Sequence, residues 1–431
     1  MDYRFSPEEE RFRTDLRDFL HKECPPEKSG AISAMKGGDE IGEGTVEQEL
    51  RRKLAQRGWL TMGWPKDYGG QGASPLRQTV FLEEMAFHDA PGLDLMGINI
   101  VGPTIMKYGR EDQKRKYLGA ISRGEVTWAQ GFSEPGAGSD LGGMSTRADL
   151  NGDAFLVNGQ KIWSSGAHRA DYLFLLARSN QEVPKHKGIS AFIVDLKNTK
   201  KGLEIRPIIN MAGMKGFNEC FFTNMEVPRE NLVGELNQGW YYAMSLLESE
   251  RSSFIQFSAI GRSVIEGLVK MVNDPKSFPL PLRERTPGGS QSSNPPSPVP
   301  GEDPWRSQGG EGSVTPRVKT TIRAKLADAA IENRVARDVA LNVAWMASNG
   351  LKPDYQASVA KVFNTEAFKR LAVSAMSIVG LYGQFEHEPR YAPLMGRVNG
   401  IYYTSVGMTI AGGASEIQRN VIATRGLGLP R

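Results

Sequence analysis

Apolar residues near the start of the chain recur at Phe12, Leu16, Phe19 and Leu20, the i, i+4, i+7, i+8 stripe of an amphipathic helix. Ser6, Pro7 and Glu9 stand just ahead of it in capping-box order with proline in the first turn, so a helix is predicted from residue 7. The same period predicts a helix from Pro75 through Met85, another after Gly97, and a charged amphipathic segment from Glu111 to Tyr117. Near residue 125 the period shortens. Runs 154–157 and 160–163 flank Asn158-Gly159, a pair suited to positive φ at both turn positions, which predicts a β-hairpin there. Strand-like runs continue at 172–177, 189–194 and 220–227. From Trp240 the helical period returns, with long stretches over 317–349 and 356–378.

The pattern divides the chain into an N-terminal helical domain (1–124), a middle β domain (125–233) and a C-terminal helical domain (234–431), an α+β organisation. Residues 275–316 break the helical period with ten prolines and six glycines. They offer too little apolar surface to offset the entropy of ordering, so a disordered insert joining two helices is expected. A PxxP-type peptide-binding role is the alternative.

Composition then removes several classes of function. Among 431 residues the formal net charge is +4 with no concentrated basic stripe, which argues against nucleic acid. Two cysteines, Cys24 and Cys220, and five histidines without ligand spacing leave metal unsupported. No apolar run approaches a membrane span and the first residues lack a signal-peptide pattern, so a cytoplasmic location is expected.

Candidate chemistry concentrates in residues 130–140, Gln-Gly-Phe-Ser-Glu-Pro-Gly-Ala-Gly-Ser-Asp. Glycines, serines and an acid at this density just before a β region fit a backbone that approaches a ligand closely, or a glycine-rich structural turn. It is neither a Walker A loop nor a Rossmann fingerprint.

Three blocks in order, SEPGAGSD, NGQKIWSSGAH and AGGASEIQRNVIATRGLGLPR, resemble the acyl-CoA dehydrogenase family, and the resemblance covers nearly the whole chain outside the insert. It implies an N-terminal helical domain, a middle β-barrel-like or sandwich domain and a C-terminal four-helix bundle. It also implies FAD as cofactor, an acyl-CoA substrate that loses hydrogens from Cα and Cβ, and an electron-transfer flavoprotein as acceptor. Matched positions for the flavin are Gln130, Phe132, Ser133, Trp163, Ser164 and Ser165, with Glu416 at its far end; Ser139 falls at the flavin-edge loop where the phosphate portion of CoA passes. On its residues alone, Trp163 fits a core-filling role as well as a flavin platform.

The base that removes the α-proton stands, in many relatives, just before a glycine of the last block, and here that position is Gly412. Members similar to the isovaleryl and long-chain enzymes carry it instead before an arginine on a C-terminal helix, matching Glu250 and Arg251. Glu250 is therefore the expected base and Arg251 the residue expected to orient substrate, against the alternative that Glu248, Glu250 and Arg251 form a solvated helix face. An R-x-x-F-G segment expected near the insert is missing, and Q-x-x-G-G is altered to Ser377-Ile378-Val379-Gly380-Leu381. In the family both serve the neighbouring subunit's flavin. Their loss implies an α2β2 heterotetramer with a second acyl-CoA dehydrogenase-like subunit, in which this chain is catalytic or, alternatively, a non-catalytic partner.

Overall fold

Ser6 Oγ accepts from the Glu9 amide and Glu9 returns a bond from the Ser6 amide at 2.8 Å, closing the capping box that starts α1 (Pro7–Glu23). The predicted stripe of α1 is buried, and Phe12 and Phe19 meet the edge of Trp59 with ring centroids 5.5 and 5.4 Å away. In this computed structural model the described residues are 4–25, 45–199, 201–247, 254–274, 320–386 and 391–430. The insert predicted over 275–316 and the pair Glu250 and Arg251 lie outside them.

Two further helices, α2 (Val46–Gln56) and α3 (Pro75–Phe87), share the apolar cluster of α1. The helix predicted after Gly97 opens with a π-helical turn and continues as α4 (Gly102–Tyr108); the charged segment after it is helical from Glu111 to Ser122.

The middle region holds β1 (Trp128–Gly131), β2 (Arg147–Asn151), β3 (Ala154–Lys161), β4 (Tyr172–Arg178), β5 (Ile189–Asp195), β6 (Leu203–Ile208), β7 (Phe217–Pro228) and β8 (Leu232–Val233). They form one open sheet in the order β6-β7-β3-β2-β4-β5-β8, with β1 parallel to β4. Its two leaves are joined by the single pair Arg147↔Arg178 and close on each other in sandwich fashion, Phe155 of β3 lying 4.9 Å from Phe192 of β5. β4 and β5 read as continuous apolar runs because both faces are covered. Leu173, Leu175 and Ala177 point into the sandwich, whereas Phe174 and Leu176 pack toward the helices around Trp64 and Ile105.

The hairpin predicted at Asn158-Gly159 does not form. β3 runs straight through these residues, and the turn lies at Gly152-Asp153, where Gly152 takes φ +61°. Asn158 instead steadies a bulge in the neighbouring strand, its side chain accepting from the Asn224 amide at 2.8 Å while Asn224 adopts φ +49°. Gly159 is required for close approach, since a Cβ there would fall 2.6 Å from Thr146 Oγ1.

After α5 (Gly239–Leu247), a bundle of α6 (Ile255–Asn273), α7 (Thr320–Ser348), α8 (Tyr355–Val379) and α9 (Arg397–Met408) surrounds a core that includes Val264, Leu326, Phe368 and Ile401. The short α10 (Ser415–Val421) follows. Buried charge ties this bundle to the first domain. Arg13 bonds Glu83 and Glu84 at 2.8 and 2.7 Å, Arg17 bonds Glu84 at 2.7 Å, and Arg337 of α7 bonds Glu83.

Between α3 and the π turn, Asp94 accepts from the Gly97 amide at 3.1 Å through Oδ1, while Oδ2 is sealed from solvent without a partner. Burial pushes this carboxyl up to about 7, against the pull of the Gly97 amide and Arg51. Its folded pKa is raised, so the stability it lends is complete below about 3.8 and is lost as pH rises through about 7. Asp94→Asn keeps the acceptor and removes the charge. The variant should match wild type near pH 4 and exceed it by on the order of 4 kcal/mol at pH 8 in denaturant titrations. A gap that shrinks with rising pH would contradict the assignment.

Candidate functional site

β1 delivers Gln130 beside Phe174 of β4, and the chain then leaves the sheet as Phe132, buried against Phe174 with centroids 6.0 Å apart. Ser133 follows, and its carbonyl accepts from the Ile162 amide at 2.9 Å. Glu134 turns inward. Its carboxylate accepts from the Ser145 amide and hydroxyl at 2.6 and 2.7 Å, from the Thr146 amide at 2.8 Å and from Lys161 Nζ at 2.9 Å. Lys161, fully buried at the end of β3, also donates to the Phe132 carbonyl at 2.9 Å.

Burial alone would raise the Glu134 carboxyl, but Lys161 and the donors from Ser145 and Thr146 overcome it and hold the group at about 2. Burial lowers the Lys161 ammonium to about 8 in spite of Glu134. At neutral pH both are ionised, and the pair fastens segment 132–134 to the end of β3.

Two residues beyond Lys161 stands Trp163, 55% exposed with φ +62°. Left-handed backbone costs a bulky residue about 1–2 kcal/mol, so its neighbours must hold it. They do: the Ile162 amide is committed to Ser133, and the Ser164 amide donates to the Asn218 carbonyl at 3.1 Å, while Asn218 Nδ2 donates back to the Ser164 carbonyl at 2.8 Å. Phe217 meets the indole edge-on at 5.8 Å. Trp163 is thus an exposed platform, and the core-filling reading is excluded.

The remaining sequence candidates divide. Ser165 is exposed beside the platform, whereas Ser164 is fully buried with its hydroxyl toward Cys220, whose thiol burial pushes up to about 11. The amides of Ser133, Trp163 and Ser165 donate to no protein acceptor among the described residues. Ser139 is exposed on the loop between Glu134 and Ser145. Glu416 is exposed in the first turn of α10, beyond a turn in which Gly412 and Gly413 take φ +64° and +93°. That turn is anchored by Lys361, which is buried in α8 and donates to the Thr409 carbonyl at 2.8 Å.

A cavity of about 450 Å³ opens between the first domain and the bundle. Met85, Leu93, Leu95, Phe254, Phe257 and Phe368 give it an apolar lining, to which Arg169, Asp89 and Gly412 add. Sequence reasoning passed over Glu134, Lys161, Asn218, Lys361 and Arg169. For Lys161 a signal exists: it keeps the buried parity of Phe155 and Val157 on β3.

Matches to family models cover most of this architecture: the acyl-CoA dehydrogenase N-terminal domain at residues 6–125, the middle domain at 129–225 and the C-terminal domain at 314–427. The chain belongs to the acyl-CoA dehydrogenase family. It is 33% identical to acyl-CoA dehydrogenase FadE26 of Mycobacterium tuberculosis (strain ATCC 25618 / H37Rv), over 99% of this chain and 98% of that protein. Among solved structures, the Tcur3481-Tcur3483 steroid ACAD is similar at a TM-score of 0.84 and 30% identity, covering 100% of both chains. The ChsE4-ChsE5 complex of Mycobacterium tuberculosis is similar at 0.79 and 30%, again over 100% of both chains. The family is one of flavin-dependent acyl-CoA dehydrogenases, and this chain is an enzyme of that kind. No helix of the described residues is long and apolar enough to cross a membrane.

Removing one partner of the Glu134–Lys161 pair leaves a buried charge. Lys161→Met should lose about 3–5 kcal/mol of stability in denaturant unfolding, and the double variant Lys161→Met/Glu134→Gln should regain part of it. Equal stability of the single and double variants would show that the two charges do not act together.

Proposed function

We propose that this chain catalyses the FAD-dependent α,β-dehydrogenation of an acyl-CoA thioester, with Glu250 taking the α-proton. When bound, FAD supplies the acceptor for the β-hydride. The observation that carries this reading is the left-handed, exposed Trp163 locked beside the unpaired amides of Ser133 and Ser165. A flat apolar surface rimmed by fixed donors fits a flavin, aromatic on its faces and polar at one edge. Gln130, Phe132, Ser133, Trp163, Ser164 and Ser165 would hold the ring, Ser164 through its backbone, and Glu416 its far end. Ser139 is assigned to the phosphates that pass its loop.

Glu250 and Arg251 lie outside the described residues, but Phe254, four positions on, lines the apolar cavity. Four residues span at most about 14 Å, which keeps Glu250 within reach of that cavity. A carboxylate held among apolar walls is a stronger base than one in water, because burial disfavours its charged form. Gly412 lines the same cavity, and a Cβ there would press to 3.3 Å from the Phe254 ring. Base and cavity therefore agree with a carboxylate arriving from the α5–α6 side, with Arg251 orienting the thioester.

The cavity volume of about 450 Å³ lies in the range of small-molecule pockets, and the steroid ACAD among the similar structures favours a ring-bearing acyl group. The altered segment Ser377–Leu381 and the two-protein complexes among those structures support an α2β2 assembly, with a second subunit completing the flavin site and an electron-transfer flavoprotein as acceptor.

Glu250→Gln should keep the yellow flavin of the purified complex and slow its bleaching by a suitable acyl-CoA by about 10²–10⁴-fold in stopped-flow absorbance. Undiminished bleaching would remove Glu250 from the role. For the assembly, flavin occupancy should be low in the chain expressed alone and near one per pair of subunits when the partner is co-expressed. Full occupancy and activity in the lone chain would defeat the heterotetramer.

A further inference from the structure

Arg169 lines the apolar cavity from the turn that follows Trp163. Its backbone is firmly held. The amides of Arg169 and Ala170 both donate to the Gly166 carbonyl, at 2.9 and 3.0 Å, and Gly166 makes the turn with φ +67°. On either side of it Ala167 and Ala170 are buried in the core of the sandwich. Arg169, half-buried itself, therefore presents its side chain to the cavity from a fixed base.

The guanidinium lacks a partner. Among the described residues it makes neither a hydrogen bond nor an ion pair. The other polar side chains on the same walls are occupied. Glu47 accepts from Arg51 at 2.8 Å, Thr404 donates to the Gly400 carbonyl at 2.8 Å, and Gln256 has a partner as well. Asp89 is attracted by Arg397 of α9. Each acid among the described lining residues thus has its own cation, and the charge left over is that of Arg169. The remaining walls include Met85, Leu93, Leu95 and Phe257, among which an unpaired cation is costly once a ligand has displaced its water. A few placed polar groups on an apolar wall orient a ligand, and a planar guanidinium matches the two oxygens of a carboxylate.

We infer that the acyl group taken by this cavity bears a carboxylate, remote from the thioester, that pairs with Arg169. This rests on the acyl-CoA reading of the cavity and adds to it the chemistry of the far end of the substrate. The apolar walls take the hydrocarbon and Arg169 takes the charge. A chain ending in a methyl group would cover the guanidinium without replacing the hydrogen bonds it makes to water.

The test uses the purified full-length protein with its partner subunit and acyl-CoAs in matched pairs, one member ending in a carboxylate and the other in a methyl group. Both linear chains and a fused-ring acyl group are included. Affinity is read by calorimetric titration, and dehydrogenation separately by flavin bleaching. In wild type the carboxylate member of at least one pair should bind about tenfold more tightly or better, as one charge-assisted hydrogen-bonded contact provides. Arg169→Met should abolish that ratio. Arg169→Lys, which keeps the charge and loses the fork, should restore part of it, and Arg147→Ala on β2 should leave it as in wild type. Because Arg169 has no protein partner to lose, its variants should melt with wild type. No preference for the carboxylate member in any pair, or a preference that survives Arg169→Met, would overturn the subsite. The expected ratio without bleaching would uphold the subsite and count against the dehydrogenation instead.

Discussion

Glu134 and Lys161 meet across 27 positions of sequence, and the geometry of the surface around Trp163 follows from their contact. Taking two charges out of water costs several kcal/mol per ion, which is recovered only where every remaining donor and acceptor is used. Here the carboxylate has the Ser145 and Thr146 amides and the Ser145 hydroxyl besides the ammonium, and the ammonium has the Phe132 carbonyl besides the carboxylate. The pair therefore closes the base of the loop that carries Ser139. It also fixes the register between Ser133 on one side and Trp163 on the other, one and two residues from the charged groups. The strained φ of Trp163 persists because the chain before it is committed to Ser133 and the chain after it to Asn218.

A second buried ionic cluster does for the domains what the first does for the platform. Glu83 and Glu84 are adjacent on α3 and share Arg13 of α1, while Glu83 also bonds Arg337 of α7 and Glu84 also bonds Arg17. Burial would raise the Glu84 carboxyl, yet His88, Arg17 and Arg13 hold it at about 2. Helix α3 is thus oriented between the first domain and the bundle, and the next residues on it, Met85 and Ala86, form a wall of the apolar cavity. The shape of that cavity depends on charge chemistry one helical position away.

Local signals were legible where local physics decides the outcome. The capping box at Ser6 and Glu9, the stripe of α1 and the apolar runs of β4 and β5 could be read directly, because each is satisfied within a few residues or by uniform burial. Asn158-Gly159 misled because the same residues that favour a tight turn also permit close strand approach. Here Gly159 packs on Thr146 and Asn158 supports the bulge at Asn224, while Gly152 makes the turn. The Glu134–Lys161 pair was harder to read for a different reason: the parity of β3 marks Lys161 as inward, but its partner lies 27 positions away and no local rule names it. Motif matching singled out Trp163 and Ser133, and the bond from the Ile162 amide to the Ser133 carbonyl is what holds the two segments side by side.

The turn at Gly412 is held from the bundle rather than by charged side chains of its own. Lys361, buried and lowered to about 8 by that burial, grips the Thr409 carbonyl, and the Ser415 amide closes on the same oxygen at 2.9 Å. Between these fixed points the chain must pass through two left-handed residues, which glycine adopts at little cost. A Cβ at Gly413 would meet the side-chain end of Gln418 at 2.3 Å, and one at Gly412 would press on Phe254, an aromatic that walls the apolar cavity. A side chain at Gly412 would therefore crowd that lining, and it would have to take up a left-handed backbone as well. Lys361 holds the turn from the bundle, so the turn keeps its shape without a carboxylate of its own.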